Sequence, residues 1–231
     1  MFVSARLSVV ENKELISDIY DDIYFSKIDG KAESTYVFLD NNNLKPRFSL
    51  CENFTIAEIG FGSGLNFVNT MSLWGETKKK FGWLEYYSFE LHPFTDSDLK
   101  RAAAFFPDFK ELYICLLESY ADIHEGINRI VFPEKNVILF LLVGDANILI
   151  DELGRETIDC WYLDGFAPAK NPELWNDVLL KKVAEKTVNR GTFSTFTASG
   201  NVRRALQNSG FAVEKVKGFG RKRDMLRGKL L

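Results

Sequence analysis

Phe54 to Thr70 reads FTIAEIGFGSGLNFVNT, and the reading of this stretch decides the fold. Phe54 to Ile59 is an apolar run of strand length, and Gly60, Gly62 and Gly64 follow at every second position. Phe67, Val68, Met71 and Trp74 then recur at the spacing of one helix face. The chain is therefore predicted to turn from a buried strand into a helix through three residues without side chains. Such glycines permit positive φ and let backbone N–H groups come close to a ligand. The first turn of the helix adds unpaired N–H donors and the positive end of the helix dipole, which favour an anion. A tight turn alone would also explain the glycines. Glu58, a carboxylate in an otherwise apolar strand, argues for more, because a buried acid needs partners.

The dinucleotide fingerprint G-x-G-x-x-G does not fit, since it needs a glycine at Leu65 or Phe67. The spacing instead resembles the first motif of the S-adenosylmethionine-dependent methyltransferases. That resemblance implies that Glu58, Gly60, Phe61, Gly62, Gly64 and Asn66 hold the methionyl part of the cofactor.

Composition bounds the alternatives. With 231 residues, 46% of them hydrophobic, the chain is long enough for one sizeable core. No apolar run approaches the roughly 20 residues that span a bilayer, and the start, MFVSARLSVVENKEL, lacks a basic region followed by an apolar block. A soluble cytoplasmic protein with no membrane contact is expected. Cys51, Cys115 and Cys160 are scattered and His92 and His124 are the only histidines, so neither a metal site nor a disulfide framework is expected.

Charge is distributed unevenly. From Gly200 onward nine basic residues face two acids, a local charge of plus 7, whereas the other 199 residues carry 20 basic and 30 acidic groups, or minus 10. Such a run can be a solvated face, or the contact for a polyanion such as RNA.

Residues 1–52 are expected to form an N-terminal β extension and residues 53–231 one compact unit. In the extension, Tyr24 and Phe25, then Tyr36 to Leu39, suggest two short strands of a hairpin within Asp21 to Phe48. Beyond the glycine loop, strands are predicted over Leu84 to Phe89, Val137 to Val143, Ile158 to Leu163, Thr192 to Thr197 and from Phe211. Helices are predicted after the T-x-x-D capping box at Thr95 and Asp98, over Ala146 to Leu153 with Gly154 as cap, after Asn171-Pro172, and over Asn201 to Gln207. Residues 108–136 read as a connection, helical in part. Strands alternating with helices imply an α/β fold with a mostly parallel sheet covered on both faces, Rossmann-like in class.

Glu90, Asp145 and Asp164 each follow an apolar strand. Ligands of open parallel sheets bind at the carboxyl ends of strands, where strand order reverses, so three acids and the glycine loop should converge on one crevice. Glu90 suits two ribose hydroxyls, Asp145 the adenine amino group, and Asp164 the reacting end.

The segment DGFAPAKNPELW, Asp164 to Trp175, is the most informative. With DDIYFS (Asp21 to Ser26), ES-x-YVFL (Glu33 to Leu39), EIGFGSGLNF (Glu58 to Phe67), SFE (Ser88 to Glu90), GDA (Gly144 to Ala146), TFTASGNVRRALQNSGF (Thr195 to Phe211) and GFGRKRDML (Gly218 to Leu226), it resembles the methyltransferase half of the bifunctional tRNA 5-methylaminomethyl-2-thiouridine biosynthesis enzymes, the MnmC family. Ser63 and Asn201 depart mildly from that pattern, and residues 110–136 match it poorly. The resemblance implies methyl transfer from S-adenosylmethionine to the aminomethyl group of a tRNA wobble uridine, with the anticodon loop as partner. With one glycine-rich loop, the chain is expected to act as a stand-alone, monomeric methyltransferase without the oxidase domain.

For that reaction Asp164 is the candidate that aims the acceptor nitrogen, and Phe166 and Pro168 are the candidates that wall the pocket. Lys170, Arg221, Lys222 and Arg223 are candidates for phosphate contacts. A methyltransferase acting on another amine, in a small molecule or protein, and a non-catalytic nucleotide-binding module stay open as alternatives.

Overall fold

The computed structural model describes residues 2–10, 14–25, 29–77 and 82–231. Ser26, the last residue of the DDIYFS motif, lies outside them. The chain begins with a small antiparallel sheet in the order β1 (Leu7–Val10), β2 (Glu14–Ser17) and β3 (Asp22–Ile23). Helix α1 (Gly30–Ser34) follows, capped by Asp29, whose side chain accepts a hydrogen bond from the Ala32 N–H. A wide π-helical turn, Thr35–Asp40, leads to α2 (Leu44–Leu50).

This corrects the hairpin expected between Asp21 and Phe48. Only Asp22–Ile23 is strand there, and Tyr36 to Leu39 are helical. A strand would turn alternate side chains to opposite faces. Val37, Phe38 and Leu39 are instead all buried, with the Phe38 ring 5.0 Å from Tyr162 of the main sheet. Phe48 likewise sits edge-on to Phe54 and Trp74. Burial against the sheet has overridden β propensity.

The main body contains β4 (Phe54–Ile59), α3 (Leu65–Glu76), β5 (Leu84–Glu90), α4 (Asp96–Ala103), α5 (Lys110–Tyr120), β6 (Gly126–Phe132), β7 (Val137–Val143), α6 (Ala146–Leu149), β8 (Ile158–Leu163), α7 (Asp177–Lys186), β9 (Thr187–Thr195), α8 (Gly200–Asn208), β10 (Phe211–Lys217) and β11 (Asp224–Leu230). Its eight strands run in the order β10-β11-β9-β8-β4-β5-β7-β6. The five central strands are parallel, while β6, β10 and β11 pair antiparallel at the margins. After β4 the chain moves outward through β5 to β7, then returns to β8 on the other side of β4. Strand order reverses at β4, which places the expected crevice at its carboxyl end.

Two cores follow from this layering. On one face Ile56, Tyr86, Leu139 and Tyr162 pack with Phe67, Val68 and Met71 of α3 and with Leu116 of α5. On the other, Ala57, Phe89, Trp161 and Leu163 pack with Leu179 and Val183 of α7 and with Val202 and Leu206 of α8. Being covered on both faces, β4, β7 and β8 read as near-continuous apolar runs rather than alternating ones. A side chain as fully buried as Phe67 contributes about 1.5–3 kcal/mol.

Other elements depart from expectation in detail. Thr95 caps α4 as predicted, accepting from the Asp98 N–H at 3.1 Å. The connection over 108–136 holds both α5 and the edge strand β6, whose alternate residues Asn128, Ile130 and Phe132 are buried. Gly154 is not the cap after α6, because Leu153 already leaves the helical turn in extended conformation. Asn171 makes no side-chain cap; Pro172–Trp175 is a separate 3-10 turn, and Asn176 caps α7 by accepting from the Leu179 N–H. The break at Asn176 leaves Val178 exposed. No helix among the described residues is long and apolar enough to cross a membrane.

Two glycines give a test of this geometry. Gly60 has a φ of +96°, and a Cβ there would stand 2.1 Å from the Asp164 carbonyl oxygen. Gly75, inside α3, has open space around it. In denaturant unfolding, Gly60→Ala is expected to lose more than about 2 kcal/mol, whereas Gly75→Ala should gain about 0.5–1 kcal/mol.

Candidate functional site

The loop between β4 and α3 runs through Gly60, Gly62 and Gly64 with φ values of +96°, +51° and +72°. The Gly60 and Phe61 N–H groups both donate to the Phe89 carbonyl, at 2.9 and 3.2 Å. The Gly62 N–H donates to Oε2 of Glu90 at 2.8 Å, while the His92 N–H donates to Oε1 at 2.8 Å. The anion expected at this loop is thus the protein's own. Glu90 braces the glycine turn and keeps lone pairs on both oxygens for further donors.

Beneath the loop lies a second set of acids. Glu58 is fully buried in β4 and accepts from Ser88 Oγ at 2.6 Å and from Asn66 Nδ2 at 2.9 Å. The same Asn66 nitrogen donates to Oδ2 of Asp164 at 2.7 Å. One amide therefore bridges two carboxyls. Burial pushes Glu58 up to about 8, against the hydrogen bond from Ser88. Burial also pushes Asp164 up to about 7; the Asn66 hydrogen bond opposes this, the Glu33 charge adds to it and Lys222 counters it. Glu90 is raised by burial and held back by the Gly62 and His92 amides.

A cleft of about 180 Å³ opens above Asn66 and Asp164. Gly60, Phe61, Gly62, Asn66, Glu90, Asp145, Asp164 and Phe166 all line it, so most of the residues expected at the site converge there. Glu58, Gly64 and Pro168, also expected at the site, do not line it. The Phe166 ring stacks on Tyr20 at 4.7 Å and meets Tyr24 edge-on at 5.1 Å. Its carbonyl accepts from Trp175 Nε1 at 2.8 Å, and the next N–H, of Ala167, donates to Asp22. The loop after β8 is thus clamped from both sides. Asp145 is exposed at the rim and caps α6 through the Asn147 N–H at 2.8 Å.

The basic candidates separate. Lys222 turns inward, pairs with Glu33 at 2.9 Å and lines the cleft. Lys170 pairs with Asp21 at 3.3 Å, Arg223 lies 3.8 Å from Asp224, and Arg221 is exposed on the turn between β10 and β11. Part of the basic excess is neutralised within the C-terminal hairpin, by Lys215 with Asp224 and Arg227 with Glu214.

Several lining residues escaped the sequence reading: Tyr20, Asp22, Tyr24, Glu33, Asn147 and Phe196. Asp22, Tyr24, Glu33 and Phe196 do fall in the motifs that carry the family resemblance, but no spacing rule ties them to the glycine loop. Among the described residues, no cluster of three or more His, Cys, Asp or Glu side chains could hold a metal ion.

Comparison with known proteins agrees with this architecture. A family described as S-adenosyl-L-methionine-dependent methyltransferase matches residues 107–230. The chain is 44% identical over 222 residues to the tRNA 5-methylaminomethyl-2-thiouridine biosynthesis bifunctional protein MnmC of Idiomarina loihiensis, covering 94% of this chain and 37% of that protein. The corresponding protein of Stutzerimonas stutzeri is 40% identical over 232 residues, covering 99% and 35%. The chain thus spans about a third of the length of the curated relatives it matches. Among solved structures, MNMC2 from Aquifex aeolicus superposes with a TM-score of 0.78 at 25% identity, covering 99% of this chain and 71% of that one. Spermidine synthase from Thermotoga maritima, at 10% identity and a TM-score of 0.55, shares the fold. With more than half its length matched, and with the glycine loop, strand-end acids and sheet order described above, the chain belongs to the S-adenosyl-L-methionine-dependent methyltransferase family.

Proposed function

We propose that this chain methylates an aliphatic amine, the aminomethyl group on the wobble uridine of tRNA. The observation that carries the reading is Asp164: a carboxyl facing the cleft, held by Asn66 and raised to about 7. The names of the relatives, which refer to 5-methylaminomethyl-2-thiouridine biosynthesis in tRNA, supply the acceptor.

The donor set fits S-adenosylmethionine. Glu90 and Asp145 offer acceptor oxygens, suited to ribose hydroxyls and to the adenine amino group, and accept chiefly from the Gly62, His92 and Asn147 amides. Gly60 to Gly64 and Asn66 would hold the methionyl part, with Glu58 fixing Asn66 from below. When bound, the cofactor supplies an activated methyl group on a sulfonium.

The chain's own residues must deal with the acceptor's proton. An alkyl ammonium near neutral pH has no lone pair with which to attack. An ordinary aspartate could not hold a proton there, but Asp164, pushed up to about 7, can take one from the acceptor at its Oδ atoms. Once protonated, its carboxyl keeps lone pairs that accept one of the remaining N–H groups and orient the nitrogen. Phe166, stacked on Tyr20 and edge-on to Tyr24, helps exclude water from the cleft. Positioning supplies the rest, since a transfer from sulfonium to nitrogen needs no covalent enzyme intermediate. Arg221 and Arg223, on the exposed turn, and Lys170 are the proposed phosphate contacts. The protein would act in the cytoplasm, where tRNA is modified.

Incubating tRNA that carries the unmethylated aminomethyl group with labelled S-adenosylmethionine, followed by nucleoside mass analysis, should give 5-methylaminomethyl-2-thiouridine. Label absent from tRNA would refute this acceptor. Asp164→Asn should lower turnover by about 100-fold or more, abolish the break in the pH–rate profile near 7, and leave cofactor affinity within a few-fold. Equal losses of turnover and affinity would remove Asp164 from the chemistry.

Glu58 makes a separate prediction about stability. It ionises near 4.5 without burial and near 8 in the fold, so between those values the folded chain holds a proton that the unfolded chain releases. Its contribution is most favourable below pH 4.5 and is lost as pH rises toward 8. Glu58→Gln, which does not ionise, should flatten the decline in urea-unfolding free energy between pH 5 and 8 by roughly 1–3 kcal/mol.

A further inference from the structure

We propose that Glu33 and Phe196 form an alkylammonium subsite, the seat of the acceptor amine, and that the Lys222 ammonium fills it until an acceptor displaces it. The inference rests on the reading of this chain as an amine methyltransferase. Lys222 Nζ lies 2.9 Å from Glu33 Oε1 and 4.6 Å from the centroid of the Phe196 ring. A carboxylate beside an aromatic face is a recognition site for ammonium groups, stronger as water is excluded. Both groups line the same cleft as Asp164.

The place of the pair sets it apart from surface ion pairs. Asp98 and Arg101 on α4 have similar exposures, 17% and 52%, but Glu33 at 17% and Lys222 at 48% meet in the cleft beside the Phe196 ring. The acid belongs to the cleft and the cation is a visitor. Lys222 is also the only basic residue among the described residues that line the cleft, against the acids Asp22, Glu33, Glu90, Asp145, Asp164 and Glu173. Withdrawing it with no replacement would leave Glu33 sheltered and unpaired, which is costly. An incoming ammonium removes that cost, so exchange is favoured over simple opening.

The place to which Lys222 would move is also built. It stands on the turn between β10 and β11, where Lys222 N–H donates to Phe219 and the tip residue Gly220, at φ +58°, has open space around it. Its neighbours in sequence are Arg221 and Arg223. Swung outward on its four-carbon stem, the ammonium would join two guanidinium groups at a tip suited to phosphates. The charges on Glu33 and Lys222 both act on Asp164, in opposite directions. Replacing one ammonium by another would leave that balance in place.

The test needs no nucleic acid. Ethylammonium chloride is titrated by calorimetry into wild type, Lys222→Met and Lys222→Met/Glu33→Gln, with sodium chloride at matched ionic strength as the control. Lys222→Met should bind ethylammonium at least about tenfold more tightly than wild type, and the double variant should lose that gain. Lys222→Met/Phe196→Leu, which keeps the carboxylate and removes the ring, should lose several-fold and covers the case in which Glu33→Gln fails to fold. An equal response to sodium, or tight binding that survives both double variants, would overturn the proposal. In the transfer reaction Glu33→Gln should raise KM for the amine acceptor by about tenfold and leave KM for S-adenosylmethionine unchanged; parallel rises in both would make Glu33 structural. Ethylammonium binding intact beside failed tRNA methylation would refute the tRNA acceptor alone.

Discussion

The constraint on which the site depends is the meeting of two backbones at Gly60 and Asp164, where a methyl group would collide with a carbonyl oxygen. The Asp164 N–H donates to the Ile59 carbonyl at 3.1 Å, which extends the β4–β8 ladder one step past the strands. That approach brings Glu58, the penultimate residue of β4, and Asp164, the first residue after β8, within reach of a single asparagine. The Asn66 bridge, the Glu58 support below it and the Asp164 carboxyl above it all depend on this approach.

The glycine loop is braced from the other side by Glu90, at the end of β5. The site therefore draws on three adjacent strands, β8, β4 and β5, each delivering one acid at its carboxyl end or beneath it. All three acids are raised from their ordinary range by burial, and the site tolerates this because each has a specific donor: Ser88 and Asn66 for Glu58, Asn66 for Asp164, and two backbone amides for Glu90. Such strain toward the protonated form is a cost to folding. It also gives Asp164 a proton affinity matched to neutral pH.

The parallel sheet and its helices were legible because their signals are local and repeated: β4, β5, β7 and β8 are apolar runs, and the glycines at 60, 62 and 64 sit where periodicity changes from strand to helix. The acids Glu90, Asp145 and Asp164 were legible from their position after those runs. What escaped depends on contacts distant in sequence. Tyr36 to Leu39 have β-forming side chains, but they pack as a helical turn against Tyr162, more than a hundred residues away. Glu33 and Lys222 meet across 189 positions, and nothing local to either marks the encounter. Lys222 seemed one member of a basic run, but burial and partner choice separate it from Arg221 and Arg223.

Tyr20, Asp22, Tyr24 and Glu33 all come from the first forty residues, whereas the glycine loop, Glu90 and Asp145 belong to the sheet. The cleft is thus assembled from two sources, the sheet scaffold on one side and an appended strap on the other. Substitutions in the strap can reshape one wall while the scaffold keeps its register. Such a division separates what shapes the opening from what carries its frame.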